Sequence, residues 1–75
     1  MIKPYKVEMR SKARSIRGLV NALRSDADYV FTDVEGFDII SLEESLRELK
    51  VTVQYLVDNI TELEYALYLA NRKDA

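Results

Sequence analysis

The sequence of 75 residues contains no cysteine, no histidine and no tryptophan, and it has only one proline and two glycines. Without cysteine the chain cannot form a disulfide, and without histidine a structural zinc site would need carboxylates alone, which is rare. The shortage of proline and glycine argues against disorder and against an all-β fold. A chain of this length buries only about 60% of its unfolded surface, so oligomerisation is the remaining way to stabilise it.

The sequence offers few of the features that catalytic sites use, since it has neither histidine nor cysteine. The sequence has no glycine-rich phosphate loop and no nucleophile beside a base, so we expect neither an enzyme nor a cofactor or metal site. No segment approaches the roughly 18 continuous apolar residues of a membrane span, and residues 1–6 lack the apolar core of a signal peptide. We therefore expect a cytoplasmic protein that does not contact the membrane.

The formal charge of −2 conceals a strong asymmetry along the chain. Residues 1–24 carry seven basic side chains and one acid, which gives +6, whereas residues 25–64 carry eleven acids and two bases, which gives −9. Residues 65–75 add +1. A split of this kind concerns surfaces and partners more than the fold.

The first periodic segment predicts a helix over about residues 3–24. Pro4 suits its first turn, where the missing N–H costs nothing. Ser25 and Asp26 begin a polar break, where we expect the helix to end. The apolar residues recur at spacings of three and four, which indicates one face turned to a core: Tyr5, Met9, Ala13, Ile16, Val20 and Leu23.

Residues 25–40 show no helical period. Residues 29–32 and 37–40 have the composition of β-strands, and Gly36 could supply the positive φ of a turn between them. The sequence predicts an ordered connection at one end of the core, with a short β-hairpin as the alternative.

A second, longer helix is predicted over residues 41–72. Ser41 followed by Glu44 has the spacing of a capping box at its start. Apolar residues then keep the coiled-coil heptad pattern, in which one row, at position d, contains Leu42, Leu49, Leu56, Leu63 and Ala70, and the other, at position a, contains Leu46, Val53, Ile60 and Leu67. This pattern predicts lengthwise packing against another helix.

The predicted second helix is longer than the first, at about 45 Å against about 30 Å. In an antiparallel hairpin its apolar residues 63–70 would extend beyond the first helix, and a helix that is apolar all round is normally buried all round. We therefore predict a homodimer that forms a helical bundle. The predicted oligomer interface consists of Leu56, Ile60, Leu63, Tyr65, Leu67, Tyr68 and Leu69.

Most of the basic side chains of the first helix, although not Lys12, fall along one line of its surface. We call Lys6, Arg10, Arg14, Arg17 and Arg24 the basic stripe. Arginines so arranged could bind phosphates or carboxylates. Three uses stay open: pairing within or between chains with Glu44, Glu48, Asp58 and Glu62, binding of an acidic protein, or binding of nucleic acid. The sequence pI of about 5.0 ranks nucleic acid last of the three.

These patterns together predict an all-α antiparallel helical hairpin that dimerises. The predicted function is that of a small regulatory or inhibitory protein that acts by protein–protein binding through helical surfaces. The main alternative is a nucleic-acid-binding module that uses the basic stripe. A subunit of a structural assembly is a third possibility.

Overall fold

Two long helices packed against each other form the protein in the computed structural model. The structure describes the backbone of residues 4–74 and the side chains of residues 6–72. The first helix, α1, spans Pro4–Glu35, and the second, α2, spans Ile39–Asp74. The prediction of an all-α helical hairpin is therefore confirmed at this level of detail.

The helices run antiparallel. Three side-chain contacts between them show this: Ser45 to Asp33, Thr52 to Asp26, and Lys12 to Glu62. Residue numbers fall along α1 as they rise along α2. The hairpin is elongated, with dimensions of 55 × 18 × 12 Å and a radius of gyration of 17.0 Å, against about 11 Å for a compact fold of this length.

The predicted connection over residues 25–40 is wrong, because α1 continues to Glu35 and no strand occurs within residues 4–74. The polar residues that suggested a break, Asp26 and Asp33, lie half-buried on the side of α1 that faces α2. There they accept hydrogen bonds from hydroxyl groups of α2. Packing of this kind overrides the β-type composition of residues 29–32.

A tight bend of three residues joins the helices. The Asp38 N–H donates to the Asp33 carbonyl at 3.0 Å and the Phe37 N–H donates to the Val34 carbonyl at 3.2 Å, which is the Schellman arrangement. Phe37 occupies the left-handed position with a φ of 54°. Glycine normally fills this position, but Gly36 precedes it by one residue.

Asp38, and not Ser41, caps the start of α2. The Ser41 N–H donates to Oδ1 of Asp38 at 3.1 Å, and the helix begins at Ile39. The predicted capping box of Ser41 and Glu44 is therefore wrong. The Ser41 hydroxyl instead donates to Oδ1 of Asp33 at 3.0 Å, across the hairpin.

The d row of α2 faces α1, as the heptad pattern indicated, but the second contacting row differs from the a row. The half-buried or buried residues beside the d row are Ser45, Thr52, Asn59 and Ala66, whereas the a row is exposed. On α1, the predicted inward residues Ala13 and Val20 are also exposed, and Lys12 and Leu19 take their place. The side chain of Tyr5 lies outside the described set.

The premise that α1 is much shorter than α2 is also wrong. With 32 and 36 residues, the helices are about 48 and 54 Å long. Within residues 6–72, Ala66 and Ala70 are the buried residues, and both belong to the segment 63–70 that was expected to extend beyond α1. No large side chain in the described part of the chain is fully buried.

Candidate binding surfaces

One row of large aliphatic residues on α2 is left exposed by the hairpin. It is the a row of the heptad pattern, extended to the first residue of the helix, and its side chains are between 42% and 61% exposed. Its members are Ile39, Leu46, Val53, Ile60 and Leu67. Five such residues at heptad spacing on one helix are typical of a surface that packs against another helix.

A matching row lies on α1. Val20 and Val34 are 41% and 52% exposed, and Ala13 and Ala27 are exposed at the intervening heptad positions. Ala13 and Val20 are among the residues predicted to face a core, whereas Ala27 and Val34 are not, because the helix was expected to end near residue 24. The uninterrupted spacing from Leu23 through Ala27 to Val34 was the signal that could have revealed the rest.

The two exposed rows lie on the same side of the hairpin. In each helix, one central apolar row lies between two other rows. The row three residues further along the sequence faces the other helix, and the row four residues further along is exposed. Two antiparallel right-handed helices turn in opposite senses when viewed from one end, so equal offsets fall on the same side. We call this surface of nine residues the apolar face: Ala13, Val20, Ala27, Val34, Ile39, Leu46, Val53, Ile60 and Leu67.

The opposite side of the hairpin is polar. A shallow groove there is lined by Asp26, Tyr29, Ser41, Ser45 and Glu48, among others. The hydrogen bonds between the helices and the Lys12–Glu62 ion pair involve the rows beside this groove. The hairpin therefore has one apolar and one polar side.

Every member of the basic stripe is exposed. Within residues 6–72, no ion pair joins Arg10, Arg14, Arg17 or Arg24 to a carboxylate, and the described pair between the helices involves Lys12, which lies outside the stripe. Of the acids proposed as its partners, Glu62 binds Lys12. The predicted pairing of the stripe within one chain is not seen in the described region, while pairing between chains stays a prediction.

The structure divides the predicted oligomer interface into two groups. Leu56, Leu63 and Leu69 are half-buried in the hairpin, whereas Ile60, Tyr65, Leu67 and Tyr68 are exposed. Ile60 and Leu67 belong to the apolar face. The rings of Tyr65 and Tyr68 stack with centroids 6.4 Å apart, and the Arg72 guanidinium lies 5.7 Å from the Tyr68 ring centre.

No family model, curated protein or solved structure was found to match this chain. Neither described helix is long and apolar enough to cross a membrane. Among the described residues, no three acidic side chains lie close enough together to hold a metal ion. The surfaces of the hairpin are therefore the features that bear on its function.

Proposed function

We propose that this protein is a small non-enzymatic binding module that pairs with a second copy of itself through the apolar face to form a four-helix bundle. The exposed apolar face supports this proposal most directly. In such a bundle each helix would turn both of its apolar heptad rows to a common core, as in four-helix bundles generally. The intact heptad pattern of α2 then has a use that the hairpin alone does not provide.

The exposed area of the hairpin also favours pairing. Its accessible surface is 6171 Å², whereas a compact monomer of 8.7 kDa has about 4,700 Å². The excess of about 1,400 Å² exceeds the roughly 800 Å² that each partner buries in a standard interface. A second copy placed on the apolar face would remove enough surface for a stable dimer.

The thin core of the isolated hairpin points in the same direction. With two alanines as the buried residues within residues 6–72, the hairpin has a thin core, and we expect its burial to fall short of the free energy that ordering two long helices costs. Association that binds the folded state supplies the missing free energy. Folding and dimerisation should therefore be coupled.

A matched pair of substitutions tests self-association. Val53 belongs to the apolar face and is 42% exposed, while Val51, on the outer side of α2, is 49% exposed. Light scattering at micromolar concentration should give twice the mass of the 8.7 kDa chain for the native protein and for Val51→Glu. Val53→Glu should lose the dimer, because it places two charges in an apolar interface. A native protein that stays monomeric at every concentration contradicts the proposal.

We further propose that the dimer acts as a regulatory or inhibitory protein that binds another protein, since the chain offers binding surfaces and has neither histidine nor cysteine for catalysis. The surface left outside the bundle is the polar side of the hairpin with its shallow groove, together with charged side chains at the edges of the helices. This assignment would be contradicted by catalytic turnover that survives purification and is lost on substitution within the chain.

The exposure of the basic stripe favours a second candidate function, the binding of nucleic acid. Each arginine that contacts a phosphate would add about one unit to the slope of log affinity against log salt. Replacing Arg14 and Arg17 by Gln should then flatten that slope without unfolding the protein. We rank this function second because the bend of the hairpin carries many acids that would repel a phosphate backbone.

A further inference from the structure

Charge is separated along the length of the hairpin. Residues 26–48, which form the bend with the last ten residues of α1 and the first ten residues of α2, carry eight acids and Arg47, a formal charge of −7. The rest of the chain therefore carries +5, since the total is −2. The 55 Å hairpin is thus acidic at its bend and basic at its open end.

Two copies that meet through their apolar faces can be related by a two-fold axis in one of two directions. An axis along the helices would place both bends at the same end, with −7 beside −7. An axis perpendicular to the helices places the acidic end of each hairpin, at its bend, over the basic open end of the other. Complementary charge decides between them, because like charges brought together at an interface oppose association.

We infer that the dimer is antiparallel, with the bends at opposite ends, and that its charge complementarity resides in contacts between the basic stripe of one copy and the acids of the partner's α1. This inference rests on the self-association proposed above. In this arrangement α1 packs against the partner's α1, and α2 packs against the partner's α2.

The spacing of the α2 row agrees with this arrangement. With the axis passing beside Val53, Leu46 lies opposite the partner's Ile60, and Ile39 lies opposite the partner's Leu67. No member of the row is left without an apolar residue across from it. The contacts between the helices then fix where the same axis crosses α1: residue 53 is level with residue 25 by the Thr52–Asp26 bond, and with residue 21 by the Ser41–Asp33 bond and the Lys12–Glu62 ion pair.

The α1 row meets its counterpart at that height. Heptad spacing centres the row between Val20 and Ala27, within a turn of Asp26. Val20 then lies opposite the partner's Ala27, and Ala13 opposite the partner's Val34. Each alanine faces a valine, so that small and large side chains alternate across the interface as close packing requires.

The basic stripe flanks this contact. Arg10 and Arg17 lie one residue beyond the central row of α1, on the edge that borders the partner's α1. Counted from the same centre, the partner's Glu35 and the partner's Asp28 lie within two residues of the positions opposite Arg10 and Arg17, respectively. In the hairpin all four side chains are exposed, and no ion pair joins them to another residue within 6–72. The two-fold axis repeats both contacts.

Charge reversal tests the pairing without relying on the loss of folding. One variant carries Arg10→Glu and Arg17→Glu, and the other carries Asp28→Arg and Glu35→Arg. Each variant, measured alone, places like charges at all four contacts of its homodimer. The Kd of that homodimer should rise by about tenfold or more. Mixed together, the two variants should form a heterodimer in preference to either homodimer, because every contact is attractive again. Arg10 and Glu35 are about 37 Å apart along one α1, so rescue within one chain is excluded.

A single cysteine gives an independent measurement, since the native chain has none. In the antiparallel dimer Val53 lies beside the axis, so Val53→Cys should form a disulfide-linked dimer on mild oxidation. Val51→Cys, on the outer side, serves as the control and should not. If native protein dimerises but Val53→Cys does not cross-link and the charge variants do not mix, the antiparallel arrangement is wrong while self-association stands. If the native protein is monomeric, both proposals fail.

Discussion

The Thr52 hydroxyl of α2 donates a hydrogen bond to Oδ2 of Asp26 in α1 at 2.7 Å, about a third of the way from the bend to the open end. Both side chains are half-buried and face each other across the contact between the helices. The Ser45 hydroxyl makes a similar bond to Asp33 one heptad nearer the bend. The helices are therefore held in register by carboxylate–hydroxyl pairs where a more apolar hairpin would use leucines.

Replacing one member of such a pair should lower the free energy of unfolding more than replacing both members. Thr52→Val keeps the shape but removes the donor from a half-buried carboxylate, and should lower the free energy of unfolding by about 1–2 kcal/mol. The double variant Asp26→Leu/Thr52→Leu should be neutral or stabilising, because it removes the carboxylate as well. Urea denaturation of the three chains measures this. A double variant less stable than Thr52→Val would show that the pair stabilises the hairpin in its own right.

The start of α2 offers a comparison between two acids of similar exposure. Asp38→Ala should lower the free energy of unfolding by about 1 kcal/mol, because it removes the carboxylate that accepts the Ser41 N–H. Glu44→Ala should change it by less than about 0.5 kcal/mol, because Glu44 is a solvent-exposed helical residue. Thermal denaturation followed by circular dichroism provides both values, and a larger loss for Glu44→Ala would restore the capping box.

Helix type and heptad pattern were predictable from the sequence because they depend on the spacing of apolar residues. The d row of α2 does face another helix, and α1 does contain an amphipathic face. The end of α1 could not be predicted from local composition, because Asp26 looks like a break until its hydroxyl partner, Thr52, is known, although the apolar spacing that continues to Val34 did indicate a longer helix. Long-range pairs of this kind leave no periodic signal in the sequence.

The rows that form the contact between the helices were also not predictable from the spacing of apolar residues within one helix. Four small or polar residues each follow a d residue by three positions: Ser45, Thr52, Asn59 and Ala66. In the hairpin these residues form the contact with α1, which moves the aliphatic a row to the exposed side. The heptad pattern shows that two apolar rows exist, but it does not assign each row to a neighbour.

The bend allows a prediction about backbone strain. Phe37 is 86% exposed and has a φ of 54°, so it gains little from burial and occupies a conformation that costs roughly 1 kcal/mol for a side chain with a Cβ. Phe37→Gly should therefore raise the free energy of unfolding by about 1 kcal/mol. Gly36→Ala is the comparison: Gly36 does not have a positive φ and an added Cβ would make an ordinary contact with the Thr32 carbonyl at 3.4 Å, so this opposite exchange should be tolerated and should raise the free energy of unfolding by no more than about 1 kcal/mol. An unchanged stability in Phe37→Gly would mean that the exposed ring makes compensating contacts.

The relation between burial and stability gives the last prediction. Leu56 is half-buried between the helices of one hairpin, whereas Ile60 is 42% exposed on the apolar face. If the hairpin folded alone, Leu56→Ala would lower the free energy of unfolding much more than Ile60→Ala. In the proposed bundle both side chains are in the core, so each substitution should cost about 2–4 kcal/mol, and Val51→Ala, on the outer side, less than about 0.5 kcal/mol. The midpoint of thermal unfolding should also rise with protein concentration, as it must when folding and association are coupled. An Ile60→Ala variant as stable as Val51→Ala, together with a midpoint that does not depend on concentration, would show that the apolar face is not buried in solution.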